Sequence, residues 1–404
     1  MIQIKPYLPQ PTGLPETLQN VLVEDLIFTG IYTLIRLRNN ATQAVYYHTL
    51  PTGHAAQFPV TFSADGKEKY YPAAAEVWMA TPLINSVLRK LTIYPPIEKT
   101  VLQSYSEVVL LNCLDSCYGH VLYKIFNAQR HLDNNFGIGL ILIIPHSHKW
   151  LVPSGVAEIW SVDVPLNQLS SWVSSLDDFV KNELSRFQQV YLSLAIMELD
   201  LATVSIERFT GIKPPLPSHW QETPKKVTFI CREDRFWLSN ILDQLLYLLA
   251  RKLRWDQRFK LYFARKQNWK FAQVAQWLKQ QDASITFTAV GLGVSGSLGD
   301  LIDDQRLEKI TSDETEYEWC RLYTRSHVVI GVHGSNMLLP SAFAAGFVNL
   351  LPDFKEPHKG EDVFPPSGTA KATLERYFPT SISPTEVAKQ ALDMLKIITE
   401  RYAD

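Results

Sequence analysis

Nowhere in this sequence do about 18 apolar residues follow one another, so no membrane-spanning helix is expected. Cysteine is scarce. The four present, Cys113, Cys117, Cys231 and Cys320, lie far apart except for one C-x3-C pair, which offers neither a zinc-ribbon spacing nor a disulfide framework. They fit small buried residues of a reducing, cytoplasmic compartment. Net charge is nearly absent too. With 39 Lys and Arg against 41 Asp and Glu, the chain has no general basic footprint, and neither nucleic acid nor an anionic membrane surface is expected as a partner. The first residues, Met1 to Glu16, lack a charged segment followed by an apolar one, so no signal peptide is expected. The Asn40-Ala41-Thr42 sequon then reads as a chance match. No internal repeat or low-complexity tract occurs. His146 and His148 flank a strand end without a third ligand in view, so no metal site is expected.

What is present is a globular balance, 46% hydrophobic and 20% charged over 404 residues, with mass for two domains. Residues 1–105 are rich in Pro, Tyr and Thr and read as an irregular, β-containing region joined to the first domain. From Glu107 the pattern turns to α/β. Val108 to Leu111 is a buried-type strand, Asp115 to His120 a turn, Val121 to His131 a helix, and Gly139 to Ile144 and Ile159 to Val164 further strands. Residues 169 to 200 carry a helical spacing of Leu176, Phe179, Val180, Leu184, Phe187 and Tyr191. These make a first Rossmann-like domain, 106–212. A Pro-rich linker, 213–224, follows, with Lys213-Pro214-Pro215-Leu216-Pro217 as its stiff part.

A second Rossmann-like domain spans 225–380. It opens with strand Val227 to Cys231, and a helix follows from about Arg235 to Leu253. Helix Lys270 to Gln280, strand Ile285 to Val290 and helix Thr315 to Tyr323 come next. The domain culminates in Ser326 to Pro352, where β-branched Val328, Val329, Ile330 and Val332 give way to His333-Gly334-Ser335-Asn336 and a short helix started near Pro340. A closing helix, 381–404, starts at Ser383-Pro384-Thr385-Glu386. The fold class is thus α/β, two Rossmann-like domains facing across a cleft. Since ligands of such sheets bind at the carboxyl ends of the strands, three turns draw attention.

At His333 to Asn336 the backbone amides around the helix start are free of intrahelical acceptors and suited to an anion. At Arg232-Glu233-Asp234-Arg235 two permanently charged guanidiniums suit a diphosphate, with Asn240 on the helix beyond. The plainer reading of that turn is a salt bridge with its own Glu and Asp. At Asp115 to His120 a His or a carboxylate suits a general base, His120 ahead of Asp115; the plainer reading is a helix cap. Glu316, one helix ahead of the anion turn, is a candidate ribose ligand. Gly291-Leu292-Gly293-Val294-Ser295-Gly296 is a literal G-x-G-x-x-G after a strand, and raises an NAD-dependent oxidoreductase as an alternative. A non-catalytic protein binding sugar nucleotides or glycans is a third.

Three segments together resemble the family 61 glycosyltransferases, the group that includes β-1,2-xylosyltransferases and protein O-GlcNAc transferases. Val329-Ile330-Gly331-Val332-His333-Gly334-Ser335-Asn336 is similar to that family's hydrophobic strand ending in His-Gly-Ala-Gly, with Ser335 and Asn336 in place of Ala and Gly. Cys231-Arg232 through Arg235 to Asn240 resembles its strand followed by two arginines and an asparagine. Tyr118-Gly119-His120-Val121-Leu122 resembles an aromatic-rich segment with His ahead of a helix. The resemblance covers about residues 107 to 352. It implies a GT-B fold with the donor in the second domain, and inverting sugar transfer from a nucleotide diphosphate sugar, UDP favoured over GDP, without metal or other cofactor. Arg232, Arg235, Asn240, Glu316, His333, Gly334, Ser335 and Asn336 are the expected donor ligands. The acceptor is expected to be a glycan, a lipid-linked or a small-molecule hydroxyl. Selectivity is expected to rest on loops such as Gly291 to Asp300 and 353–366.

Overall fold

The apolar run at Glu107–Asn112 becomes a strand buried on both faces, and three more strands align parallel to it: Gly139–Pro145, Glu158–Val162 and Gln189–Leu192. The computed structural model describes residues 1–18, 20–89, 92–135, 137–216, 218–309, 312–352, 360–364 and 374–401. It divides into two units, Met1–Asp200 with Arg208–Thr210, and Leu201–Glu207 with Gly211–Asp404. The division falls at 200–211, ahead of the Pro-rich 213–216; Pro217 lies outside the described residues.

In the first unit the sheet order is Ile2–Lys5, Gln189–Leu192, Glu107–Asn112, Gly139–Pro145, Glu158–Val162, Ile97–Val101. The two edge strands run antiparallel to their neighbours and come from the first hundred residues. The chain leaves Glu107–Asn112 in one direction and returns on its other side as Gln189–Leu192, so the strand order reverses between these two. The expected long helix at 169–200 is corrected: a helix covers Ser174–Leu184, and Gln189–Leu192 is the fourth parallel strand. The spacing of Leu184, Phe187 and Tyr191 mimics a helical stripe, but Val190 and Leu192 alternate with Gln189 and Tyr191 as a strand does, with the first pair buried. The early residues form a five-stranded antiparallel meander, from Val21–Phe28 to Lys69–Tyr70. Both its faces are covered. Leu26, Phe28, Ile35 and Leu37 join the core of the parallel sheet, while Ile27, Leu34 and Phe62 pack with Met79, Leu83 and Ile84.

In the second unit six parallel strands take the order Ile302–Asp304, Thr286–Gly291, Lys226–Cys231, Val328–Val332, Gly346–Leu351, Glu375–Pro379. Numbered along the chain this is 3-2-1-4-5-6, the doubly wound Rossmann order, with its reversal between Lys226–Cys231 and Val328–Val332. The closing helix is Pro384–Arg401. Ser383 Oγ accepts from the Glu386 amide at 3.2 Å, a serine cap with Pro at the first helical position. Its buried face, including Val387, Ala391, Met394 and Ile398, joins the core under the sheet. The helix expected from Arg235 begins only at Ile241, because Asn240 caps it, accepting from the Leu242 amide at 2.9 Å.

Candidate active site

The reversal in the first sheet carries a titratable cluster. After strand Glu107–Asn112 the chain turns through Asp115 into helix Tyr118–Asn134, which starts earlier than the expected Val121 and places His120 in its first turn. His120 Nδ1 lies 3.1 Å from Asp115 Oδ1, and Lys124, one helical turn further, sets its Nζ 2.9 Å from Asp115 Oδ2. Lys124 also donates to the Leu114 carbonyl at 2.7 Å. Burial alone would raise the Asp115 carboxyl; the charge of Lys124 and the His120 hydrogen bond outweigh it and hold it below the ordinary carboxylate range. Asp115 is therefore an ionised orienter. With it accepting from Nδ1–H, the His120 ring keeps its Nε2 lone pair for another proton, the arrangement of a general base held in one tautomer. The imidazole is 37% exposed and so reachable.

The residues that sequence reasoning left without chemistry complete this cluster. Gly53, at φ +55, donates its amide to the Leu194 carbonyl at 2.7 Å, just beyond strand Gln189–Leu192. That bond pins the meander to the reversal point. It brings His54 Nε2 to 3.4 Å from His120 Nδ1, with Trp78 edge-on to His54 at 5.1 Å between ring centroids. A cavity of about 180 Å³ opens here, with Tyr32, His54, Trp78, Asp115, His120 and Ser171 in its lining beside aliphatic residues such as Ile31 and Leu83.

The second reversal carries the arginines. Arg232 follows strand Lys226–Cys231, and its guanidinium reaches the strand end opposite. Nη1 donates to Asn336 Oδ1 at 2.6 Å and to the His333 carbonyl at 3.3 Å, while Nε and Nη2 hold Asp234 at 2.6 and 2.5 Å. Arg235 Nη1 donates to the same His333 carbonyl at 3.0 Å. Both guanidiniums lie directly over Gly334. Its φ is +148, and a Cβ there would strike Arg232 Nη1 and Arg235 Nη1. Glycine suits this position chiefly for the backbone angle, and a side chain here would also displace the guanidiniums. The turn closes with the Met337 amide donating to the Gly334 carbonyl at 2.8 Å and the Leu338 amide to Ser335; backbone amides at such a turn are suited to an anion. The helix itself, Leu338–Phe343, is short and follows a 3-10 turn at Ser335–Met337. The salt bridge of Arg232 with Asp234 anticipated by the plainer reading is real, and it splays the guanidinium over the turn.

The remaining candidates separate. His333 is fully buried, with Asn349 at 2.9 Å from Nδ1 and Asp362 3.9 Å from Nε2; it holds the turn from below. Glu316 is buried in helix Asp313–Tyr323 beside Cys320 and Tyr323, whose proton affinities burial raises and the Glu316 charge raises further. Asn240 is an exposed helix cap. In the Gly291–Gly296 motif no helix follows, and the Glu233 carboxylate accepts from the Ser295 amide at 2.7 Å and Oγ at 3.1 Å. Gly293 is glycine because a Cβ would hit Glu233. The motif is a loop closed by a carboxylate of its own chain, without the helix N-terminus a pyrophosphate requires. Residues 353–359 and 365–366 of the expected selectivity loop lie outside the described residues. Among the described residues no cluster of His, Cys, Asp and Glu is arranged to hold a metal ion, and no helix is long and apolar enough to cross a membrane.

Burial also sets an acid limit. His54, His131 and His148 are each pushed down to about 4, burial being the largest cause. Unfolded, these rings take protons near 6.5. The unfolded chain therefore binds more protons between the two values, and stability falls as pH drops through that window. The urea midpoint is expected to decline steadily from pH 6.5 to 4, and less steeply in His148→Leu, whose Nε2 has no hydrogen-bond partner among the described residues.

No family model and no curated protein matches this chain. Among solved structures it is similar to the ADP-heptose LPS heptosyltransferase II of E. coli, with 11% identity over 72% of this chain and 98% of that one, at a TM-score of 0.37. It is similar to TarM, with 11% identity over 96% and 75% and a TM-score of 0.29, and to the Gap123 complex from Streptococcus agalactiae, with 10% identity over 97% and 77% and a TM-score of 0.29. At these values the likeness is loose, and the strand orders above carry the fold.

Proposed function

We propose that the chain is a glycosyltransferase of the GT-B organisation, akin to family 61, which moves a sugar from a nucleotide diphosphate donor to an acceptor hydroxyl with inversion. The observation that carries this reading is the convergence of Arg232 and Arg235 over the Gly334 turn at the reversal of a Rossmann sheet. Charge grows on the leaving diphosphate as the glycosidic bond breaks. Fixed cations and amides at that point favour the transition state over the ground state, and they supply the positive charge a metal would otherwise bring. His120 takes the acceptor proton, with Asp115 holding the imidazolium that results. The cavity beside His120, with polar residues such as Ser86, Ser170 and Ser171 in its lining and Trp78 exposed at its edge, suits a sugar or other polyhydroxylated acceptor. We take the enzyme to work in the cytoplasm, with a UDP-sugar as the first donor to test.

Thermal shift separates this reading from the alternatives. UDP is expected to raise Tm, NADH to leave it unchanged, and Gly334→Val, which drives a side chain into both guanidiniums, to lose the UDP effect. Stabilisation by NADH alone would overturn the transferase reading. UDP-sugar binding without hydrolysis or transfer, with or without acceptor, would leave only a binding protein.

A further inference from the structure

Helix Ile241–Lys252 is built inside out. Ile241, Leu242, Leu245, Leu248 and Leu249 lie on one face at spacings of one, three and four, and all are more than half exposed, Leu248 at 61% and Ile241 at 72%. The opposite face buries Ala250 and, against its chemistry, Asp243, which accepts from the Tyr262 hydroxyl at 2.6 Å and pairs with Lys266 at 3.4 Å. The helix is anchored by a satellite core of Phe236, Leu238, Ala250 and Phe263, with Leu246 and Tyr247 against it. A helix that orients a carboxylate inward and leucines outward needs an apolar occupant on its outer face.

The surrounding charge identifies the occupant. Residues 251 to 270 hold eight Lys and Arg and one acidic residue, in a chain whose totals are 39 and 41. Arg251, Lys252, Arg254, Arg258 and Arg265 are exposed. Leu253, Trp255, Leu261 and Trp269 continue the apolar surface among them, each at least 43% exposed. Leucines flanked by arginines and tryptophans are the composition of a helix lying in a bilayer interface, where the apolar face enters the acyl boundary and the cations meet anionic headgroups. A second copy of this chain would set like charges against one another. We propose that helix Ile241–Lys252, Trp255 and the basic first half of helix Asp256–Gln281, as far as Trp269, form a docking surface for an anionic membrane. The proposal does not rest on sugar transfer.

The test is co-sedimentation of the full chain with phosphatidylcholine vesicles and with phosphatidylcholine/phosphatidylglycerol vesicles. Partition into the anionic vesicles is expected to be at least about ten-fold stronger and to weaken with salt. Leu245→Gln with Leu249→Gln, and separately Arg251→Gln with Arg254→Gln and Arg258→Gln, are each expected to lower it about ten-fold at unchanged Tm, since all five side chains are exposed. No partition into either vesicle overturns the proposal, as does equal partition of the leucine variant. A dimer in light scattering that the leucine variant dissolves, without vesicle binding, overturns it in favour of a second copy.

Discussion

Replacing His120 with alanine is expected to lower sugar transfer by roughly 10² to 10⁴ in kcat while UDP still raises Tm as in the parent protein. The reason lies in what the imidazole is attached to. Asp115 is ionised because Lys124 and His120 outweigh its burial, and its oxygen 3.1 Å from Nδ1 leaves Nε2 as the basic atom. Asp115→Asn keeps the shape but removes the charge that stabilises the imidazolium, and is expected to lower kcat in the same direction. His54, held neutral beside His120, adds no competing charge near neutral pH. Initial rates with an acceptor panel, and donor hydrolysis with water as acceptor, provide the readout. A His120→Ala enzyme with unchanged kcat in both assays removes the base assignment.

Arg232→Ala is expected to cost about 2.7 to 4 kcal/mol of transition-state stabilisation, or roughly 10² to 10³ in rate, by analogy with the loss of one oxyanion-hole donor. Unlike the His120 variant, it is also expected to weaken UDP binding, because in the proposed function the guanidinium would meet the phosphates, and it ties the turn through Asn336 and the His333 carbonyl. Arg232→Lys is expected to recover little: one ammonium cannot hold Asp234 through two nitrogens and reach Asn336 at once. Arg235→Ala, which loses the hydrogen bond to the same carbonyl, is expected to act in the same direction and less strongly. Isothermal titration with UDP and single-turnover rates distinguish binding from chemistry. Wild-type affinity and rate in Arg232→Ala would remove the diphosphate from this turn.

The parts of this molecule that could be read in advance share one property: their signal is local. Short apolar runs such as Val108 to Leu111 and Val328 to Val332 point to buried strands, and the rule that ligands gather at strand ends then made candidates of Asp115, His120, Arg232 and Gly334. Where the physics is non-local the sequence was mute or misleading. His54 is brought to His120 across 66 positions by one bond from Gly53 to Leu194, and no spacing encodes that. The stripe from Ile241 to Leu249 announces a helix, but periodicity says only that one side is apolar, not that it is covered. The net charge of -2 averages over the basic run at 251–270 and says nothing of where charge is concentrated. Asn240 and Glu316 are polar residues near those strand ends, and the structure gives them a helix cap and a buried helix face respectively.

The first hundred residues have a second role that bears on how the protein can be cut. The strands Ile2–Lys5 and Ile97–Val101 close the two margins of the first parallel sheet. A fragment trimmed to residue 106 onward would bare the ladder of Gln189–Leu192 on one side and that of Glu158–Val162 on the other, each a flat template for pairing with another chain. Such a fragment is a candidate for fibrous aggregation, and shortening the protein for crystallisation should begin elsewhere.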